Sequence, residues 1–303
     1  MKKIVIAGGT GFLGKVLIQY FKERVAQIVV LSRKEMPPSK NVRYLVWDGK
    51  NQGEWSQALE NTDVLINLAG KSVDCRYNQK NKDLILSSRI DSTRALGRAV
   101  QACTNPPKVW LNSSTATIYR HSLQTRMDET NGEIGNGFSE NVAKEWERVF
   151  FSFKLNHTRQ VALRTSIVLG KSGGAFIPLK WLTTLGLGGK QGTGTQKVSW
   201  IHEQDFVRSI DFVIKNEKIN GVINVVSPSP TNNKTLQQTL RKRVGALFGI
   251  PLSVGLLELG AKIMRTETEL ILKSRNVVPK KLLDHGYDFV YPSLDDAIQE
   301  LLM

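Results

Sequence analysis

Three glycines recur at a fixed spacing near the start of this 303-residue chain. In AGGTGFLG, residues 7–14, Gly8, Gly11 and Gly14 stand three residues apart, between the apolar run KKIVIAG and the amphipathic segment GKVLIQYFKERV. Glycines between a strand and a helix permit a tight turn and a close approach of the backbone to a pyrophosphate. The free N–H groups at the helix N-terminus then accept its charge. The spacing and its setting therefore predict a dinucleotide-binding site.

The end of the second apolar run indicates which dinucleotide is bound. Sites for NAD usually place Asp or Glu there, to hold the ribose 2′-hydroxyl. Here QIVVLSRK ends in Ser32, Arg33 and Lys34, and a hydroxyl with two cations suits a 2′-phosphate. NADP(H) is therefore the expected cofactor. The alternative is a pair of exposed basic side chains that hold no ligand.

These residues need a sheet and helices to position them. The first two-thirds of the chain alternates helix-length segments with six apolar runs: KKIVIAG, QIVVLSR, VRYLVWD, DVLINLAG, KVWLNSS and QVALRTSIVLG. Strands separated by helices form a parallel sheet that is covered on both faces. We therefore expect an α/β fold with a doubly wound (Rossmann) parallel sheet.

The pattern changes after Gly170. GKSGGAFIPL and LGLGGKQGTGTQ are glycine-rich, and the last seventy or so residues alternate helices with Pro/Gly breaks, ending in YPSLDDAIQELL with Ser293 at a helix N-cap position. The expected division is a dinucleotide-binding domain over 1–170, completed by about 199–226. A smaller C-terminal substrate lobe would then comprise 171–198 and 227–303.

The composition limits the classes of partner. The formal charge is +15, and residues 234–281 carry ten Lys/Arg against three Asp/Glu, which directs attention to nucleic acid, an anionic surface or a phosphorylated small molecule. No zinc-finger spacing, RNP-type aromatic run or basic zipper helix supports nucleic acid, which is the disfavoured class. No membrane-span or signal-peptide pattern is present, and Cys75 and Cys103 form neither a disulfide framework nor a metal-ligand spacing. We expect a cytoplasmic monomer or homodimer with no metal and no membrane partner.

Several motifs together resemble a known family. GGTGFLG, DVLINLAG, SSTATIY, LRTSIVLG and WIHEQD are similar to the extended short-chain dehydrogenase/reductases, the sugar-nucleotide epimerase and dehydratase group. GLGGKQGTGTQKVSWIHEQD, NVVSPSPTNN and the tail VVPKKLLDHGYDFVYPSLDDAI resemble one atypical branch, often labelled epimerase-family or cell-division-inhibitor-like, with a distinctive C-terminal domain.

The resemblance implies a role for particular positions. The segment around Arg164 and Trp200–His202 would border the substrate cleft, and Thr115 would take the catalytic Ser/Thr position, with Tyr119 just beyond it. The implied cofactor contacts are Gly8, Thr10, Gly11, Phe12 and Leu13 at the pyrophosphate, Ser32 and Arg33 at the adenosine phosphate, Asp48 at the adenine, Leu68, Ala69 and Gly70 beneath the ribose and pyrophosphate, and Arg89 near the cleft.

The proton donor that the resemblance implies is missing. The group uses Tyr-x-x-x-Lys, in which Lys lowers the tyrosine pKa and Tyr shuttles the proton, yet none of the six tyrosines has Lys four residues later. The helix where the pair should lie reads GFSENVAKEWE. Three explanations stay open. In the first, Tyr119 or Lys144 substitutes, although Lys144 between Glu140 and Glu147 also fits an exposed helix lysine. In the second, the protein binds NADP(H) but catalyses little and acts as a redox or metabolite sensor. In the third, hydride exchange proceeds with protonation from water.

Cations near the expected cleft suggest the charge of the substrate. Lys71 follows NLAG, and Arg120 follows Tyr119, so an anionic small molecule is expected, with Arg120 and His202 as substrate contacts. The alternatives are solvent-facing cations and a structural histidine. The sequence thus predicts an NADP(H)-dependent oxidoreductase or epimerase-like enzyme, and the alternative is a catalytically weak or inactive NADP(H)-binding regulator.

Overall fold

A computed structural model describes residues 1–263 and 266–303 of the chain. Seven strands form one sheet in the order β11-β6-β5-β4-β1-β2-β3, and every neighbouring pair is parallel. The strands are β1 (Lys3–Ala7), β2 (Gln27–Ser32), β3 (Val42–Val46), β4 (Val64–Asn67), β5 (Val109–Thr115), β6 (Arg159–Thr165) and β11 (Gly221–Val225). The strand order reverses between β1 and β4, as in a doubly wound sheet, and the predicted fold class is confirmed.

Five short strands lie outside the main sheet. They are β7 (Ile167–Gly170), β8 (Gly173–Gly174) and β10 (Trp200–His202) in one small sheet, and β9 (Lys197–Val198) with β12 (Thr231–Asn232) in another. The sixth apolar run, predicted as one strand, is therefore two. Its partner β11 ends at Val225, so the main sheet supports the run only as far as Thr165. Beyond Ser166 the chain pairs with β10 instead.

Ten helices are present in the described residues. They are α1 (Phe12–Phe21), α2 (Gln79–Ala102), α3 (Phe138–Ser152), α4 (Phe176–Leu182), α5 (Glu203–Lys215), α6 (Asn233–Val244), α7 (Val254–Ile263), α8 (Glu269–Leu272), α9 (Lys280–Asp284) and α10 (Leu294–Leu302). A π-helical segment, Thr183–Leu187, extends α4, and 3-10 turns cover Glu54–Leu59 and Ala116–Ile118. Ser293 stands at the N-cap of α10, as expected, but its hydroxyl makes no capping hydrogen bond. Within 1–263 and 266–303, no helix combines the length and the apolar character needed to cross a bilayer.

Alternate residues of each sheet strand pack into two separate hydrophobic cores, one on each face of the sheet. Ile4 and Ile6 of β1 pack with α1 and α5, whereas Val5 and Ala7 pack with α2 and α3. Successive side chains of a strand point to opposite faces, so both faces are apolar and both are covered by helices. This burial fixes the sheet, and with it the edge at which the strands end.

A third apolar cluster lies in the C-terminal part of the chain. Leu169 and Phe176 pack there with Trp200, with α6 and with α10. The 171–198 segment and the last helices therefore share a core, as the proposed lobe would require, while the domain boundaries themselves stay a prediction.

Candidate functional site

The glycine turn leaves the start of α1 open. Gly8 has a φ of 75°. Gly11 is the N-cap residue of α1, and no side chain caps the first N–H groups of this helix. A Cβ on Gly8 would lie 2.8 Å from the backbone nitrogen of Ala69, and a Cβ on Gly14 would overlap the backbone of Gly9. Only glycine fits these two positions, and the first N–H groups of the helix remain free for an anion.

A cavity of about 460 Å³ opens at this turn. It lies at the carboxyl ends of β1, β4, β5 and β6, where the strand order reverses, which is the usual ligand position in doubly wound sheets. Its wall includes the predicted residues Gly8, Gly11, Phe12, Leu13, Leu68, Ala69, Gly70, Arg89 and Thr115. The structure thus brings most of the expected cofactor contacts to the same cavity as Thr115.

Thr115 ends β5 and lines the cavity, as do Ser113 and Ser114. Its Oγ1 accepts a hydrogen bond from the Thr117 N–H at 3.1 Å. Because that bond uses the oxygen as acceptor, the hydroxyl proton is available to a ligand.

Arg89 forms part of the cavity wall and has no acidic partner among the residues that the structure describes. Its guanidinium donates to the carbonyls of Lys71 and Ile85, at 3.0 and 2.9 Å, and lies over the ring of Trp146. Desolvation lowers the pKa of Arg89 to about 10, which still leaves it charged at neutral pH. It therefore adds positive charge to the cavity.

A buried polar network lies behind the Ser114 side of the wall. Ser114 donates to Glu147 at 2.5 Å, and Arg164 forms a two-pronged pair with the same carboxylate at 2.9 and 2.7 Å. Burial alone would lower the pKa of Arg164, but the Glu147 carboxylate outweighs it and raises that pKa. The network holds Ser114 rigidly at the edge of the cavity.

Tyr119 belongs to this network and not to the cavity wall. Its hydroxyl accepts from Arg164 at 2.8 Å and donates to Asn224 at 3.0 Å, and its ring is buried beside Ala116 and Met127. Burial raises the pKa of Tyr119, against the opposing effect of Arg164. A tyrosine that is buried, with its hydroxyl bonded on both sides, is poorly placed to replace the missing proton donor.

Lys144 and Arg120 also lie outside the wall. Lys144 reaches Asn136 at 3.2 Å on the outer side of α3, and Arg120 pairs with Glu133 at 2.5 Å. The expectation that they meet a substrate therefore has no geometric support. Lys71, in contrast, lines the cavity.

His202 is fully buried and joins two helices. Its Nδ1 accepts the Gln204 N–H at the start of α5, and its Nε2 lies 2.9 Å from Glu300 in α10. Burial lowers the pKa of His202, with Glu300 opposing. This geometry is that of a structural residue, outside the cavity wall.

The predicted adenosine-end residues lie outside this cavity. Ser32 is buried at the end of β2 and accepts the Lys34 N–H at 3.2 Å, while Arg33 is exposed. Thr10, predicted at the pyrophosphate, is also exposed and lies outside the cavity wall. Asp48 accepts the N–H groups of residues 50 and 51, and these hydrogen bonds lower its pKa. Its carboxylate is therefore already engaged by its own loop.

The far end of the cavity contains residues that the sequence did not single out. Tyr77 and Phe138 pack edge to face there, beside Thr117. Behind Thr117 lies Arg275, whose Nε donates to Thr117 Oγ1 at 3.1 Å. Its Nη2 has no hydrogen-bond partner in the described part of the chain. Residues 117 and 275 are 158 positions apart, so no local pattern could have indicated the contact.

Known proteins share both the sheet and the C-terminal part. The chain is 32% identical over 303 residues to the epimerase family protein YfhF of Bacillus subtilis, covering 99% of this chain and 97% of that protein. This chain belongs to the epimerase family. The model described as NAD dependent epimerase/dehydratase family matches residues 4–144, and a domain of unknown function, DUF1731, matches residues 256–301. The resemblance inferred from the motifs is confirmed.

Solved structures agree with this family assignment. Human epimerase family protein SDR39U1, crystallised with NADPH, matches with a TM-score of 0.88 and 30% identity, over 99% of this chain and 98% of that one. A nucleoside-diphosphate sugar epimerase from Corynebacterium glutamicum matches with a TM-score of 0.77 and 28% identity, over 99% of this chain and 58% of that one.

Proposed function

We propose that this epimerase family protein is an NADP(H)-dependent oxidoreductase or epimerase-like enzyme. Its substrate would react while it is held by Thr115. The observation that carries the proposal is the presence of Thr115 and the uncapped start of α1 in one cavity. The glycine turn accepts a pyrophosphate closely, so the residues present fit the cofactor. The NADPH in the structure of human SDR39U1 supports the same choice.

Ser32 and Arg33 would hold the adenosine 2′-phosphate. They end β2, next to β1 and its glycine turn, and the exposed Arg33 side chain is free to move onto a ligand. A planar guanidinium and a hydroxyl suit phosphate oxygens better than a ribose hydroxyl.

Thr115 would orient the substrate. NADP(H), when bound, supplies or accepts a hydride. The Thr115 hydroxyl would donate to the oxygen on the reacting carbon, because the Thr117 N–H occupies one of its lone pairs and leaves its proton for a ligand. Ser114, fixed by Glu147, would limit how that oxygen can turn.

The proton would come from solvent. Tyr119 and Lys144 lie outside the cavity wall, whereas the exposed residues Gly70 and Ser72 form part of it and leave it open to water. The lack of a Tyr-x-x-x-Lys pair also favours a second candidate, a regulator that binds NADP(H) with little turnover.

An anionic substrate would be attracted by Arg275. Its guanidinium is buried behind Thr117, and burial lowers the pKa of Arg275, partly offset by Glu269 and Glu140. An incompletely paired buried cation is costly in free energy. A carboxylate or phosphate bound near Thr117 would relieve part of that cost.

Titration calorimetry with NADPH, NADP⁺, NADH and NAD⁺ tests the cofactor assignment. We expect NADPH to bind most tightly and Arg33→Ala to weaken NADPH by at least about tenfold, since a charge-assisted phosphate contact is lost. Lys218→Ala, an exposed cation in the loop after α5, is the matched control. Equal affinities for NADPH and NADH would remove the phosphate role.

A substrate screen that follows NADPH absorbance then separates enzyme from regulator. Thr115→Val should abolish any turnover that is found and leave NADPH affinity within about threefold, because only the substrate contact is removed. Tight NADPH binding with no oxidation by any carbonyl compound would favour the regulator.

A further inference from the structure

A stripe of apolar side chains is exposed on α4 and its π-helical extension. Ile177, Trp181 and Leu185 stand four residues apart, which places them on one helical face, and Trp181 is 58% exposed. Ordinary protein surfaces expose large apolar side chains singly and not in a row.

The stripe continues onto a neighbouring loop. The Ile250 N–H donates to the Gly186 carbonyl at 2.8 Å, and a Cβ on Gly186 would meet the Phe248 ring at 2.6 Å. Leu247 is 98% exposed and Phe248 63% exposed. The loop therefore presents its apolar side chains beside the π-helical segment.

Helix α7 follows this loop directly along the chain and also exposes apolar side chains. The Leu252 N–H donates to the Lys190 carbonyl at 2.9 Å, which anchors the chain two residues before α7, where Leu256 and Leu259 are both more than half exposed. We name the apolar ridge as Ile177, Trp181, Leu185, Leu247, Phe248, Ile250, Leu256 and Leu259.

Basic side chains accompany the ridge. Lys180 and Lys190 lie within it along the chain, and Arg241 approaches Gly249, whose Cβ would lie 2.8 Å from the guanidinium. Arg243 is paired with Asp295, whereas Lys180, Lys190 and Arg241 have no acid within ion-pair distance in residues 1–263 and 266–303. Glu258 is the one acidic residue in the stretch 246–263.

These features select among the surfaces that could cover the ridge. A second copy, also of formal charge +15, would bring like charges together at the same patch. An anionic phospholipid bilayer offers acyl chains to the apolar residues, headgroup charge to the lysines, and an interface that tryptophan prefers.

We propose that the apolar ridge and its cations dock this protein on the surface of an anionic phospholipid bilayer. The contact is peripheral: the ridge enters the headgroup region, and no helix within 1–263 and 266–303 is long and apolar enough to cross the membrane. It revises the expectation that the protein has no membrane partner, which rested on the lack of a spanning segment.

Vesicle flotation tests the proposal with the full chain. Vesicles of phosphatidylcholine alone are compared with vesicles that also contain phosphatidylglycerol, at low and high salt. We expect binding to the phosphatidylglycerol vesicles, weakened by salt, and weak binding to phosphatidylcholine. Trp181→Ser with Phe248→Ser should reduce that binding by at least about tenfold, and Lys180→Glu with Lys190→Glu by about fivefold or more for each lysine.

Val46→Ser with Leu123→Ser, two exposed apolar residues outside the ridge, is the matched control and should bind like the parent protein. NADPH calorimetry on every variant shows that it is folded. Equal binding to both vesicle types would overturn the proposal, as would no binding to either. Sedimentation showing a dimer that Trp181→Ser with Phe248→Ser dissolves, with no vesicle binding, would assign the ridge to a second copy instead.

Discussion

Tyr119 Oη lies 2.8 Å from the Arg164 guanidinium, and the same guanidinium forms an ion pair with Glu147. This relationship fixes the tyrosine nearest to Thr115 in sequence inside the protein, facing away from the cavity. Its hydroxyl completes a chain of buried polar groups from Ser114 to Asn224. The tyrosine is therefore part of the network behind the cavity wall and not of the wall itself.

Tyr119→Phe should reduce stability and leave ligand binding intact. Loss of the hydroxyl leaves Arg164 Nη1 and the Asn224 oxygen without this partner, which costs about 1–3 kcal/mol of unfolding free energy. Urea unfolding measures the loss, and calorimetry should show unchanged NADPH affinity. Tyr44→Phe, on the half-buried strand β3, is the control and should stay within about 0.5 kcal/mol. Unchanged stability with lost turnover would instead make Tyr119 a catalytic residue.

Gly14→Ala should disrupt the dinucleotide site. The added methyl overlaps the backbone of Gly9, so the turn must shift, at about 1–3 kcal/mol of stability, and NADPH affinity should fall by at least about tenfold. Gly255→Ala has open space around its Cβ and should affect neither quantity adversely. Parent-like NADPH binding by Gly14→Ala would show that the cofactor does not use this turn.

The free energy of unfolding should decrease as the pH is lowered from about 4 to about 2, because Asp63 becomes protonated. Partial burial would raise the pKa of its carboxyl, but the Lys108 ammonium and the N–H groups of Lys2 and Lys3 outweigh it and lower that pKa to about 2, from an ordinary 3.8. A depressed carboxyl pKa stabilises the fold above the unfolded pKa, and protonation removes the benefit. The contribution is about 2 kcal/mol.

Asp63→Asn should therefore flatten the dependence of unfolding free energy on pH in that window, measured by urea unfolding at several pH values. Asp288→Asn, at an exposed position near the C-terminus, should keep the parent profile. An unaltered slope in Asp63→Asn would assign the acid sensitivity to other carboxyls.

Arg275→Met should weaken anion binding without changing the cofactor. Phosphate and pyrophosphate titrated into the NADPH-saturated protein should bind, and Arg275→Met should lower their affinity by about tenfold or more, since a buried charge contact is removed. Arg126→Met, an exposed arginine, is the control. Parent-like anion affinity in Arg275→Met would remove this residue from the substrate site.

The sequence by itself determined the sheet and the glycine turn. Apolar runs that alternate with helical segments have one main solution, a parallel sheet covered on both faces. The glycines lie within eight consecutive residues, so their spacing places Gly8 and Gly11 in the turn after β1 and Gly14 in the first turn of α1. Thr115 is singled out by the family resemblance, and its position at the end of a strand is at the ligand edge of such a sheet.

Only the tertiary structure decided which side chains face the cavity. Tyr119 is four residues from Thr115, yet the 3-10 turn Ala116–Ile118 redirects the chain and buries it. Arg275 contacts Thr117, 158 positions away along the chain. His202 is hydrogen-bonded to Glu300 of α10. Such contacts depend on how elements that are distant in sequence pack together, and residue spacing along the chain does not predict that packing.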